Sequence, residues 1–209
     1  NERTKEDQGT YATEVFRREA LRFIRESGEQ PWFLYLCFNA PHGASSFGAD
    51  ANDPKSRVGV QAPDEYVAKY ADVEASNGLK RYYAAVTCMD SAIGEIVAQI
   101  HKQGQENDTL ILFQSDNGGS GNGGNAPLKG SKSTLWEGGL RVPFVAHWPD
   151  KIPAGGVSDE FVTTLELLPT LAAAAGAKLR EDVILDGHDV LPVLRGEQPS
   201  PRKEMFWAF

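Results

Sequence analysis

Asp116 and Asn117 place a carboxylate beside a carboxamide, and two ammonium groups follow on Lys129 and Lys132 beyond a glycine-rich run. Adjacent Asp and Asn side chains offer only oxygen donors, which suits a hard cation such as Ca²⁺ or Mg²⁺ rather than zinc. A cation and an ammonium group converging on one point is what an anionic oxyester requires, because charge develops on its oxygens as the bond breaks. Asp-Asn-Gly-Gly is equally good turn chemistry, since Asn and Gly tolerate left-handed backbone and Asp bonds its own main chain. The pair by itself therefore leaves a metal site and a plain turn both open. A phosphate-cradling loop fits less well: Ser131 separates Gly130 from Lys132 and breaks the G-x-x-x-x-G-K-[ST] pattern.

The elements that must position these groups are legible around them. Leu110, Ile111, Leu112 and Phe113 read as a short buried strand whose carboxyl end delivers Asp116 and Asn117. In open α/β sheets ligands bind at such carboxyl ends. A second unbroken apolar run, Trp32 to Phe38, reads as a strand buried on both faces. It delivers His42 through Asn39-Ala40-Pro41-His42-Gly43 in the same way. A loop histidine is most often a surface or packing residue, but one following a buried strand shares the placement of Asp116.

Helices are expected before and after that strand. Ala12, Val15, Phe16, Ala20, Phe23 and Ile24 recur at helical spacing between Tyr11 and Ser27, and Gly28 supplies the stop. Leu79, Tyr82, Val86, Met89, Ile93, Ile96 and Ile100 form a longer amphipathic stripe, with Cys88 off it beside Ala84, Ala85 and Ala92. Strand, helix and the strand before Asp116 in that order suggest a crossover connection, right-handed when the strands are parallel. Val142 to Trp148 is a further strand. Thr163-x-x-Glu166 forms a capping box before a helix over Leu167, Leu168, Leu171 and an alanine run, stopped by Gly176. Pro169 lies in its first two turns, where proline can bend a helix. Asp186-Gly187-His188-Asp189 has the look of a metal cluster, yet its flanks, Leu185 and Val190-Leu191-Pro192, favour a turn between packed segments. Asn1 to Gln8 is a polar lead-in, Gly43 to Pro63 a long loop read as a substrate-side lid, and Glu204 to Phe209 a closing strand.

The chain has 209 residues, enough for one domain with a real core, and a formal charge of −8. That charge argues against a nucleic-acid partner. An acidic protein acting on an anion must gather positive charge locally, here His42, Lys129 and Lys132. Two cysteines are too few for a disulfide framework, and Cys37 and Cys88 are both expected as buried thiols. No stretch approaches the ~20 apolar residues of a membrane span.

SDNGG, then LKGSK, then LWEGGLRVPFVAHWPDKIPAG resembles the central signature of the type I sulfatases, arylsulfatase-like hydrolases on the alkaline-phosphatase fold. FLYLCFNAPH resembles the family's histidine-bearing segment, although Ala44, Ser45 and Ser46 follow where a proline is usual. The resemblance implies an α/β fold with a mixed sheet flanked by helices. It also implies Ca²⁺ ligation by Asp116 and Asn117, and sulfate contacts from Lys132 and His42, with Lys129 near the substrate. Glu137 and Arg141 are then structural, fixing the loop by an ion pair. A carbohydrate or small-molecule sulfate ester is the implied substrate, and a periplasmic or secreted setting the implied location.

The family's nucleophile is a formylglycine matured within Cys-x-Pro-Ser-Arg, and this sequence holds no such motif. The early Asp-Asp pair that completes the calcium site and the upstream Lys and His are missing too. Residues 1–209 are thus expected to be part of a sulfatase catalytic domain lacking its amino-terminal portion. Such a chain would be inactive alone and open to a complementing amino-terminal segment. A phosphoryl or phosphonate hydrolase of the same superfamily, and a non-catalytic anion-binding domain, are the alternatives.

Overall fold

The computed structural model describes residues 9–43 and 59–208. The lead-in over 1–8, most of the lid and the terminal Phe209 lie outside them. The chain divides into two compact units, Asn1–Gly104 with Gly121–Gly124, and Gln105–Ser120 with Asn125–Phe209.

In the first unit α1 (Ala12–Ser27) and α2 (Asp64–Ala68) both pack on the long α3 (Asn77–Lys102). Ser76 caps α3 by accepting from the Leu79 N–H at 3.3 Å. The buried face of α3 is Ala84, Ala85, Cys88, Ala92, Ile96 and Ile100, so the stripe expected from periodicity is buried at its carboxyl end, Ile96 and Ile100, and gives way to the alanine face before it. Small side chains let neighbouring helices approach closely, so the alanine face becomes the contact and Tyr82, Val86, Met89 and Ile93 stay half-buried around it. Ala84 and Ala85 close with Ala62 into a small core edged by Val60, Tyr66, Val67 and Tyr70. Cys88 is buried as expected, and burial, with the Glu14 carboxylate nearby, pushes its thiol up to about 11.

Two expectations fail on the segment Trp32–Phe38. Its burial alternates residue by residue, as an extended chain does, but no ladder pairs it among the described residues. One face meets α1, with Phe38 edge-on to Phe16 at 6.2 Å and Trp32 edge-on to Phe23 at 6.3 Å. The other face is open: Phe33 is 69% exposed, Tyr35 79%, and Cys37 is an exposed thiol rather than a buried one. An apolar run has the composition for burial on two sides, while this unit packs a helix against one.

The second unit holds the sheet found among the described residues, β1 (Ile111–Gln114) antiparallel to β2 (Phe144–His147). Ile111 pairs with His147 and Gln114 with Phe144. The Ser115 N–H continues the ladder to Pro143 O at 3.3 Å. The crossover anticipated between the Trp32 segment and β1 therefore has no paired strand at its first end; the pairing is formed across the loop that follows β1. The short α4 (Glu137–Leu140) lies within that loop. The capping box forms as read, opening a 3₁₀ turn that leads into α5 (Leu167–Ala174), with Pro169 in the first turn of the helix. Among the described residues after Ser200 there is no strand, and Phe206 is exposed.

Asp186–Asp189 serves the fold. Asp189 accepts from the Leu191 N–H at 2.9 Å where α6 (Leu191–Leu194) begins, and a Cβ on Gly187 would stand 1.8 Å from Leu165 O. Asp186 O accepts from Arg202 at 2.7 Å. Arg202 also reaches Glu166, its Nε at 2.8 Å from Oε1, while Thr163 donates its N–H and its hydroxyl to Oε2, each at 2.7 Å. No helix of the described residues is long and apolar enough to cross a membrane.

The Glu166–Arg202 pair is almost dry, with side-chain exposures of 0% and 10%. Burial raises the Glu166 carboxyl, but the bonds from Arg202 and Thr163 outweigh it and hold the group below the ordinary glutamate range. A depressed folded-state value stabilises the fold above the unfolded-state pKa, and that contribution is lost as pH falls through the folded value. Glu166→Gln strands a buried guanidinium and is expected to cost about 3–5 kcal/mol at neutral pH. Urea unfolding of both proteins should show the gap closing on acidification below the ordinary carboxylate range; a gap independent of pH contradicts the assignment.

Candidate active site

At the carboxyl end of β1 the chain turns through Ser115-Asp116-Asn117-Gly118-Gly119, as the sequence suggests. Ser115 Oγ donates to Asn117 O at 2.9 Å, fixing the turn. Gly118 N–H then donates to Gly139 O at 3.0 Å, Lys132 N–H to Gly119 O at 3.1 Å and Gly138 N–H to Lys129 O at 2.7 Å. These three bonds join the strand end, the lysine loop and the start of α4 through main chain alone.

They close because no side chain stands between. A Cβ on Gly118 would lie 1.8 Å from Gly138 O, one on Gly138 2.4 Å from Gly130 O, and one on Gly139 2.4 Å from Thr134 O. Gly130 turns at a φ of +94°, where a side chain would also meet Trp136 Cβ at 2.5 Å. Thr134 supports the lysine loop from within, accepting from Ser131 N–H at 3.1 Å and donating to Ser131 O at 2.7 Å.

Asp116 is exposed and Asn117 half-buried. Among the described residues no hydrogen bond or ion pair engages either side chain, so both retain free oxygen donors at a fixed strand end. Two such donors fit a hard cation; Ca²⁺ takes about six to eight oxygens, so others must complete its shell. Lys132 is half-buried, and its main chain is the part tied to Gly119. Lys129 is exposed, with Nζ 3.6 Å from the centroid of the Trp136 ring, a cation–π contact. Arg141 and Glu137 form the expected ion pair at 3.7 Å, but both side chains are well exposed, where such pairs contribute little.

His42 belongs to the first unit, after the Trp32–Phe38 segment. It is exposed; its N–H donates to Asn39 O at 2.8 Å and its Nδ1 lies 2.8 Å from Gly43 O. Of the residues singled out from sequence, the fold thus brings together Asp116, Asn117, Lys129, Lys132, Glu137 and Arg141 in one unit and puts His42 in the other.

Sequence reasoning passed over Asn125. Its Oδ1 accepts from Gly119 N–H at 2.7 Å, and its Nδ2 donates to Gly119 O at 2.8 Å and to Gly130 O at 3.2 Å. A signal was available: a glycine-rich loop has main-chain groups that no helix or ladder pairs, so a carboxamide within it, Asn122 or Asn125, is a natural partner.

The family model described as Sulfatase matches residues 1–177 of this chain. Arylsulfatase J of Mus musculus is 31% identical over 202 residues, covering 95% of this chain and 31% of its own length. Steryl-sulfatase of Homo sapiens is 35% identical over 201 residues, covering 91% and 31% respectively. The chain therefore spans about a third of the length of these curated relatives. Among solved structures, Ps i-CgsB in complex with k-i-k-neocarrahexaose matches with a TM-score of 0.77 at 36% identity, over 90% of this chain and 39% of that one. Phosphonate monoester hydrolase SpPMH from Silicibacter pomeroyi matches with a TM-score of 0.63 at 22% identity, over 92% and 43%, a likeness of fold alone. The fold class is accordingly the α/β, alkaline-phosphatase-like one.

Gly118→Ala tests the knot of main chain directly. The added methyl faces a backbone oxygen that cannot rotate away, so the strand end and α4 must separate, at a cost of about 1–3 kcal/mol. Amide exchange at Gly118 and Gly138 should quicken in that variant while exchange within α5 is unchanged. Equal protection in both proteins contradicts the close contact.

Proposed function

This chain belongs to the sulfatase family, and from that membership we propose that it forms part of a sulfuric ester hydrolase that cleaves the S–O bond of a sulfate ester. The observation that carries the reading is the bond from Lys132 N–H to Gly119 O at 3.1 Å, two residues beyond Asn117. It builds an ammonium-bearing loop and a pair of oxygen donors on one rigid turn.

In this reading the Lys132 ammonium holds the sulfuryl oxygens, where charge gathers as the bond lengthens. His42 contacts the sulfate and the leaving oxygen. With Nδ1 turned to Gly43 O, an imidazolium presents Nε2–H outward, and that proton passes to the leaving alkoxide or aryloxide oxygen. Asp116 and Asn117 hold Ca²⁺, which when bound supplies neutralising charge beside the sulfate. Lys129, whose ammonium rests over the Trp136 ring, is in this reading a further cation for the substrate. The nucleophile, a formylglycine, is assigned to a segment outside these residues, since neither Cys37 nor Cys88 lies in a Cys-x-Pro-Ser-Arg context. That segment is the complementing partner, and a periplasmic or secreted setting goes with the reading. A carbohydrate sulfate is among the substrates considered, in keeping with the neocarrahexaose complex of the similar Ps i-CgsB.

An aryl sulfate and the matching aryl phosphate, offered to the 209-residue chain and to the enzyme completed at its amino terminus, test the reading. The expected result is no turnover by the chain alone and preference for sulfate over phosphate in the completed enzyme. Lys132→Ala should lower kcat/KM about 100- to 1,000-fold, and chelation of Ca²⁺ should abolish activity. Sustained sulfate release by the 209-residue chain refutes the placement of the nucleophile; preference for phosphate refutes the reaction.

A further inference from the structure

We propose that Asn125 is the positioning residue of this site, setting Lys132 against the Asp116-Asn117 turn through one carboxamide. A primary amide has one acceptor oxygen and two N–H donors, and Asn125 spends all three. Oδ1 takes the Gly119 N–H, while the two hydrogens of Nδ2 go to Gly119 O and Gly130 O. The exchange with Gly119 is a closed pair, N–H to oxygen and oxygen to N–H, of the kind two facing residues make in an antiparallel ladder. The third bond grips the lysine loop two residues before Lys132.

Gly119 O is the shared point, since it also receives the Lys132 N–H at 3.1 Å. One carbonyl thus collects the main chain of Lys132 and the Asn125 amide, two and three residues from the proposed metal donors Asn117 and Asp116. Asn125 is itself anchored, its own carbonyl accepting from Leu128 N–H at 2.8 Å. The requirement is strict in chemistry and in length. Aspartate has the shape but no donor, and would point an oxygen at two carbonyl oxygens. Alanine leaves Gly119 and Gly130 without these partners. The inference rests on the reading that Lys132 and Asp116-Asn117 serve one anion, but its structural half stands apart from that reading.

The test compares wild type with Asn125→Asp and Asn125→Ala. In the 209-residue chain, amide exchange at Lys132 is expected to rise about tenfold or more in both variants, because Gly119 O and Gly130 O lose the Asn125 donor in each; exchange at Gly119 should rise in Asn125→Ala, which alone removes the acceptor of its N–H. The Thr163 amide, held by Glu166 elsewhere in the same unit, should keep its protection. In the completed enzyme both variants should lose kcat more than they raise KM, a split that a change in overall stability does not produce. Unchanged exchange at Lys132 in both variants overturns the proposal. Loss of Thr163 protection in both overturns it too, because Asn125 would then hold the whole unit rather than the site. If wild-type enzyme cleaves no sulfate ester while the exchange result is as expected, the proposed reaction fails and the positioning role of Asn125 stands.

Discussion

Backbone must touch backbone for this site to exist. Gly118, Gly138 and Gly139 sit where any Cβ would fall within 2.4 Å of a carbonyl oxygen, so at these three positions the strand end and the lysine loop meet main chain to main chain. Glycine costs more conformational entropy on folding than other residues. Here that cost is offset by bonds that only so close an approach permits, Gly118 N–H to Gly139 O and Gly138 N–H to Lys129 O. Whatever hangs from this knot inherits its rigidity. Asp116 and Asn117 precede one strand of it and Lys132 belongs to the other, which is how groups apart in sequence are tied together through main chain.

Two ion pairs of the second unit differ sharply in surroundings. Glu137–Arg141 lies at 3.7 Å with both partners in solvent, and its attraction is largely screened. Glu166–Arg202 is buried, and every oxygen of its carboxylate has a donor, from Arg202 on one side and Thr163 on the other. Burial makes the second pair indispensable once formed, because removing either partner leaves a charge in a dry place. The capping glutamate of α5 is thus also the anchor of the chain near Arg202, and one residue links a local helix signal to the packing of a distant segment.

Much of this was legible in the sequence because it rests on local rules. The start of α5 was announced by Thr163 and Glu166, the end of α1 by Gly28, and the turn after β1 by Asp116 to Gly119. The misreadings share one cause, the neighbours that local patterns do not contain. On α3 the large residues at helical spacing marked a plausible face, yet the alanines beside Cys88 were chosen because α1 and α2 approach there. Along Trp32 to Phe38 the composition spoke for two buried faces, and the alternation in burial shows one covered. Asn125 was missed for the same reason. Its type was visible, but its role depends on main-chain groups of Gly119 and Gly130 that become partners only when the loop closes.

The electrostatics of the site follow from the same closeness. A formal charge of −8 spread over the chain repels an anion at long range, but beyond a Debye length of about 8 Å that repulsion is screened. What remains is decided over a few ångströms. There Lys129 is held at 3.6 Å over the Trp136 ring, its ammonium partly committed to the indole face, whereas the Lys132 side chain is half-buried with no ring beneath it among the described contacts. A single ammonium on a flexible stem makes a weak anion site, since ordering it consumes rotamer entropy. Fixing its main chain through Gly119 removes the backbone part of that cost in advance. An acidic protein can bind an anion in this way, by holding little positive charge in a well-defined place rather than by gathering much of it.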